Sequence, residues 1–277
     1  MNCTTTFDEV LRERKINSMR KRVYLILAVV AVTTILASVF TVATKGQRSG
    51  PVESLGYPTM AAHRGGLDLY PENTLTAFRQ VRDNHAGQAV EFDVRALADG
   101  TLVVMHDATV NRTAANGATG AVKGMTRKQW GSLRIADPTG GSVPATTLNE
   151  VLEEFGDTGT VLIPELKDNT AVDQFIETLW PHRDQIIPQS FDAGVVSRLV
   201  RSGFHTLQLA STPTTLVDGV YALGIAHTAI TPEVVDAAHR EGATVWAWTV
   251  NNQNRIDELM GMQVDAVMTN DPRLEVT

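Results

Sequence analysis

From residue 58 onward the chain alternates between two hydrophobic periods. Short apolar runs of strand-like composition fall at residues 59–62, 90–94, 160–166, 186–189, 206–210, 220–226, 243–250 and 266–269. Between them, apolar positions recur at helical spacing over residues 73–84, 148–154, 170–180, 192–201, 232–241 and 253–260. Thr231 before Pro232 is a cap followed by proline at the first helical position, and Gly242 is a natural left-handed stop. Eight strands alternating with helices predict a (β/α)8 TIM barrel over residues 58–277 rather than an open doubly wound sheet. No Gly-x-Gly-x-x-Gly turn follows the first strand, which counts against dinucleotide binding. Residues 102–105 read as an extra strand. The stretch 108–144 has little apolar period and is expected to form an excursion over the barrel mouth.

A different pattern precedes the barrel. Residues 23–43 form an uncharged run of 21 positions, enough for a helix of roughly 30 Å, the thickness of a bilayer's hydrocarbon core. Residues 1–22 carry Arg12, Arg14, Lys15, Arg20, Lys21 and Arg22 against Asp8, Glu9 and Glu13. This predicts a basic cytoplasmic tail, a single transmembrane helix and a catalytic body outside the cytoplasm. A cleavable signal peptide ending near Thr41-Val42-Ala43 is the competing reading, but its apolar core would be unusually long. Residues 44–57, rich in Gly, Ser and Pro, read as a tether.

Charge is distributed unevenly. The net charge of the chain is −7, whereas residues 58–277 hold 16 basic and 27 acidic side chains, a net of −11. Such a body repels polyanions and excludes a nucleic-acid groove. Cys3 is the one cysteine, so the chain has neither an internal disulfide nor a thiolate metal site.

Barrel active sites sit at the C-terminal ends of the strands, and the chemistry-bearing residues of this chain cluster there. His63 and Arg64 end the first strand, Glu91 and Asp93 the second, Glu165 and Lys167 the third. Side chains at i and i+2 share a strand face, so each carboxylate pair or carboxylate–lysine pair projects together. Three carboxylates at one mouth repel one another unless a cation lies among them, and an all-oxygen set favours Mg²⁺ or Ca²⁺. His63 and His106 form a candidate acid/base pair, and Arg64 and Lys167 suit phosphoryl oxygens. Trp248 fits either an apolar wall of the mouth or a core position, while Glu72 and Asn73 fit either contacts that orient the mouth residues or a cap of the following helix.

These residues resemble the glycerophosphodiester phosphodiesterases. The resemblance is carried by His63-Arg64-Gly65, Pro71-Glu72-Asn73-Thr74, Glu91-Phe92-Asp93-Val94, Asp99-Gly100, His106-Asp107 and Asn111-Arg112-Thr113. It continues through Thr147-Leu148, Glu165-Leu166-Lys167, Ser190-Phe191, Trp248-Thr249-Val250-Asn251 and Asp265 to Asn270-Asp271-Pro272. It implies a metal-dependent TIM barrel cutting glycerophosphodiesters to sn-glycerol 3-phosphate and an alcohol. By resemblance, Glu91, Asp93 and Glu165 are metal ligands, His63 and His106 the general acid and base, and Arg64 and Lys167 phosphate contacts. Two departures stand out: Asn270 where the family often has Asp, and Pro164 where a β-branched residue is usual. Pro164 is expected to shift Glu165, since proline removes a strand amide.

Two other readings remain open. Related barrels cleave lysophospholipids or sphingolipids, which exposed apolar side chains within residues 108–144 would favour. A binding module without catalysis would require a broken carboxylate set or a missing histidine.

Overall fold

The computed structural model describes residues 51–156 and 158–276. The chain enters the barrel through β1 (Thr59–Ala62), α1 (Leu75–Asn84), β2 (Ala89–Ala96) and an extra strand β3 (Leu102–Val104). Then come α2 (Arg127–Ser132), the hairpin β4 (Arg134–Ala136) and β5 (Ser142–Pro144), α3 (Leu148–Phe155), β6 (Leu162–Leu166) and α4 (Val172–Leu179). The second half runs β7 (Gln189–Ser190), α5 (Ala193–Arg201), β8 (Leu207–Ala210), β9 (Ala222–Ala226), α6 (Pro232–Arg240), β10 (Thr244–Trp248), α7 (Gln253–Gly261) and β11 (Ala266–Thr269).

Parallel pairing proceeds β1-β11-β10-β9-β8-β7-β6-β2, and β1 pairs back onto β2 through Ala61↔Ala89 and Ala62↔Val90. The eight-stranded parallel sheet therefore closes on itself as a TIM barrel, as the alternating pattern predicts. β3 lies antiparallel against the end of β2, with Val94 opposite Val104. The barrel interior is filled by residues such as Ala61, Ile163, Leu207, Leu209, Trp246 and Met268. Outside it, the sheet and helices bury Phe78, Phe92, Phe155 and Phe175 on one side and Ile225, Val245, Ile256 and Val267 on the other. Helix starts follow their caps: Thr74, Asp192, Thr231 and Asn252 each accept a bond from a first-turn backbone N–H.

Several expectations change. β7 is only two residues long, because Pro188 removes an amide donor from the run read as a strand. Pro164, by contrast, sits in register opposite Phe92 and leaves Glu165 opposite Asp93, so the strand pairing runs through the proline unbroken. Residues 51–57, read as the end of a tether, pack against the barrel instead. Val52 is 1% exposed and joins the interior cluster beside Ala89, Val161 and Ala266, at the N-terminal ends of the strands. Tyr57 OH meets Tyr221 OH at 2.6 Å.

The stretch 108–144 is not an irregular cover. It folds around its own apolar cluster of Val110, Val122, Met125, Trp130, Leu133 and Ile135, shared with Leu97, Val103 and Met105. The expected transmembrane helix at residues 23–43 and the basic tail 1–22 lie outside the described residues. Among the described residues, no helix is long and apolar enough to cross a membrane.

Candidate active site

The C-terminal mouth of the barrel holds a cavity of about 190 Å³. His63, Arg64, Glu91, His106, Glu165, Lys167 and Trp248 line it, joined by Gln189 and Phe191. Asp93 stands just behind, 1% exposed. Oxygens of Glu91, Asp93 and Glu165 all lie within 4.8 Å of one another, so the three predicted ligands from β2 and β6 do converge. An all-carboxylate cluster this tight and buried has the donor chemistry of a hard divalent cation.

The carboxylates repel one another. Burial, with Asp93 adding to it, pushes Glu91 well above the usual carboxylate range, and burial raises Glu165 to about 7. Asp93 goes the other way: burial opposes its charge, but Lys167 and then Arg64 outweigh burial and hold it low. Lys167 Nζ bridges Asp93 Oδ1 at 3.0 Å and Glu165 Oε2 at 2.7 Å. Burial works against its ammonium, yet those two carboxylates raise its pKa overall.

Arg64 is placed by its backbone. It adopts φ 52° in a short turn after β1, its N–H donates to Glu91 Oε2 at 2.8 Å, and its Nε lies 3.4 Å from Asp93 Oδ2. That Nε is buried and makes no hydrogen bond, its one charge partner being Asp93. Gly65 permits the turn. It has φ +79°, and a Cβ there would come within 2.9 Å of Phe78 and Ala77.

The two histidines meet the cavity differently. His63 Nδ1 contacts Asn270 Oδ1 at 2.7 Å; an amide oxygen only accepts, so the proton is on Nδ1 and Nε2 is left with its lone pair. Burial, then Arg64, pushes His63 down to about 4, so it is neutral near pH 7. His106 Nδ1 lies 2.7 Å from Asp107 Oδ1, while Arg95 holds the His106 carbonyl with two N–H groups at 2.9 and 2.7 Å.

Trp248 is a cavity wall rather than a core residue, edge-on to the half-exposed Phe191 at 5.6 Å. Asn73 is not the helix cap; Thr74 is. Asn73 is 2% exposed and bonds Asp93 instead. No residue of 108–144 lines the cavity.

Residues 63–274 match the model of the glycerophosphoryl diester phosphodiesterase family, which covers well over half of the chain. The chain belongs to that family. A glycerophosphodiester phosphodiesterase from Caldanaerobacter subterraneus subsp. tengcongensis is 29% identical over 237 residues, covering 76% of this chain and 93% of its own. Among solved structures, a glycerophosphodiester phosphodiesterase from Thermotoga maritima superposes with TM-score 0.65 at 25% identity, covering 78% of this chain and 96% of that one. A phosphodiesterase from Oleispira antarctica, in complex with its product sn-glycerol-3-phosphate, superposes with TM-score 0.69 at 22% identity over 78% of this chain and 94% of that one.

Family membership leaves several partners that the sequence alone does not single out. Gln189 Nε2 donates to Glu91 Oε1 at 2.9 Å, and Asn270 fixes His63. Both were visible as ends of family motifs or strands, but an amide carries no charge signal that would mark it. Glu72, by contrast, stands beside Arg64 and Arg112 and so orients cavity residues from one step back.

Proposed function

We propose that this protein hydrolyses glycerophosphodiesters to sn-glycerol 3-phosphate and an alcohol, using a divalent cation held by Glu91, Asp93 and Glu165. The convergence of those three carboxylates within 4.8 Å, at a cavity lined by two imidazoles and two cationic side chains, carries this reading. When bound, the cation supplies Lewis-acid stabilisation of phosphoryl charge. Arg64 and Lys167, both lining the cavity, offer two positive charges to the phosphoryl oxygens. His63 starts neutral and is able to accept a proton at Nε2. Asp107 fixes the His106 ring and offsets the positive charge that ring carries when protonated. The pair therefore provides one proton acceptor and one proton donor. Trp248 and Phe191 supply the apolar wall for the alcohol group.

A soluble headgroup is favoured over a lysolipid. Among the described residues the large exposed apolar side chains are Tyr57, Trp180 and Phe191, and none lies within 108–144. An inactive binding module is disfavoured by the complete carboxylate set. The uncharged run at residues 23–43 behind a basic lead supports a single-pass anchor with the barrel outside the cytoplasm.

Incubating the purified protein with glycerophosphocholine, with and without chelator, tests the activity. Chelator-sensitive release of glycerol 3-phosphate is expected; its absence would remove the proposal, and turnover of lysophosphatidylcholine alone would transfer it to lipid substrates. A reporter fused to the C-terminus, active only outside the cytoplasm, tests the anchor.

A further inference from the structure

Arg112 spends three guanidinium nitrogens on two carboxylates from different loops. Nη1 and Nη2 grip Glu72 at 2.6 and 2.8 Å, and Nε donates to Asp107 Oδ2 at 2.8 Å. The other oxygen of Asp107 holds His106 Nδ1, and Glu72 Oε1 also faces Arg64 Nη1 at 3.4 Å. A continuous chain of ion pairs thus runs Arg64, Glu72, Arg112, Asp107, and Asp107 ends it on the His106 ring. Both of its ends line the cavity, but Arg112 does not.

The turn that presents Arg112 is anchored on both sides. Asn111 Oδ1 accepts from the Gly120 N–H at 2.8 Å. Thr113 is 5% exposed and sends its hydroxyl to Met105 Sδ, while the Met105 N–H donates to the Asp93 carbonyl at 2.9 Å. The guanidinium therefore starts from a fixed base. An isolated surface ion pair contributes little to stability. A guanidinium gripping one carboxylate with two parallel bonds, and a second with its third nitrogen, fixes direction as well as charge. Without it, Asp107 would keep only His106, and Glu72 only a long contact to Arg64. An imidazole that moves protons depends on the orientation of the carboxylate behind it.

We propose that Arg112 is a positioning residue for the reaction, fixing Asp107 and through it the ring of His106, while its grip on Glu72 sets Arg64 at the cavity wall. This rests on the phosphodiesterase reading above. The test compares Arg112→Gln and Arg112→Lys in the full chain, each with and without His106→Ala. Turnover of glycerophosphocholine, cation affinity and melting temperature are measured for every variant. Arg112→Gln should lower kcat about 10–100-fold, the usual cost of losing a partner that orients a reactive group. Cation affinity should stay unchanged. Arg112→Lys should recover part of the loss, because an ammonium keeps the charge but not the two-nitrogen grip. In the His106→Ala background the same replacement should cost clearly less, because only the route through Glu72 and Arg64 is left to lose. Wild-type kcat in Arg112→Gln, or an equal fold-loss in both backgrounds, would overturn the proposal. If Arg112→Gln fails to fold, Arg112→Lys carries the same cycle. Imidazole nitrogen NMR reads the positioning without turnover: the His106 ring should show one bonded Nδ1–H in the wild type and an averaged signal in Arg112→Gln. An unchanged signal also overturns it. A wild type that releases no glycerol 3-phosphate would instead overturn the parent reading.

Discussion

Asn73 and Asp93 exchange two hydrogen bonds across the barrel mouth: the Asn73 amide donates to Asp93 Oδ2 at 2.8 Å, and its Oδ1 accepts from the Asp93 N–H at 3.0 Å. Asn73 achieves this from a left-handed backbone, φ 57°, in which asparagine is among the better-tolerated residues. Replacing it by Ala strands two buried polar groups of Asp93. The Asn73→Ala protein should lose about 1–3 kcal/mol of stability. It should also bind the cation about 10–100-fold more weakly. Chemical denaturation and calorimetric titration measure the two effects. Wild-type cation affinity would show that Asn73 does not orient the ligand.

Glu91 accepts from the Arg64 N–H and from Gln189, contacts that a neutral amide oxygen partly retains. Its charge, however, is opposed by burial and by Asp93. Glu91→Gln should therefore melt at or above the temperature of the metal-free wild type while losing cation binding and turnover together. A marked drop in melting temperature would mean that the carboxylate is held for stability rather than for a ligand.

Burial sets Glu165 at about 7 in the folded, metal-free protein, above the roughly 4.3 of an unfolded chain. Between those values the folded state holds a proton that the unfolded state has released. Metal-free stability should accordingly fall as pH rises through this window. Cation binding must expel the proton, so affinity should climb with pH up to about 7, with Glu91 adding to the trend. Titration calorimetry in buffers of different ionisation enthalpy counts the released protons. Affinity independent of pH across the window would contradict the assignment of Glu165 as a ligand.

His106 touches Asp107 rather than the carboxylate cluster. His106→Ala should spare cation binding and cut turnover by about 10²–10⁴-fold. Collapse of cation affinity in this variant would make His106 a ligand instead.

The barrel and most of its mouth were legible in the sequence because both rest on local rules. Alternating apolar periods give the strands and helices, and the i, i+2 relation aims Glu91 with Asp93 and Glu165 with Lys167. The short β7 was overestimated because an apolar run does not reveal whether its amides find partners. Local rules leave Asn73 open between a helix cap and a contact to the mouth; Thr74 takes the cap and Asn73 the contact. The stretch 108–144 looked coreless because its apolar residues are spaced for a compact, irregular cluster rather than for one helix or strand.

By itself, then, the order of polar and apolar residues dictated the strand–helix alternation and which charged side chains stand at strand ends. Tertiary structure alone decided which neutral partners complete the mouth. Asn73 reaches Asp93 from 20 positions away, Gln189 reaches Glu91 from 98, and Asn270 reaches His63 from 207. Barrel closure sets these separations in space, and a hydrogen bond between uncharged or singly charged groups leaves no periodic trace along the chain.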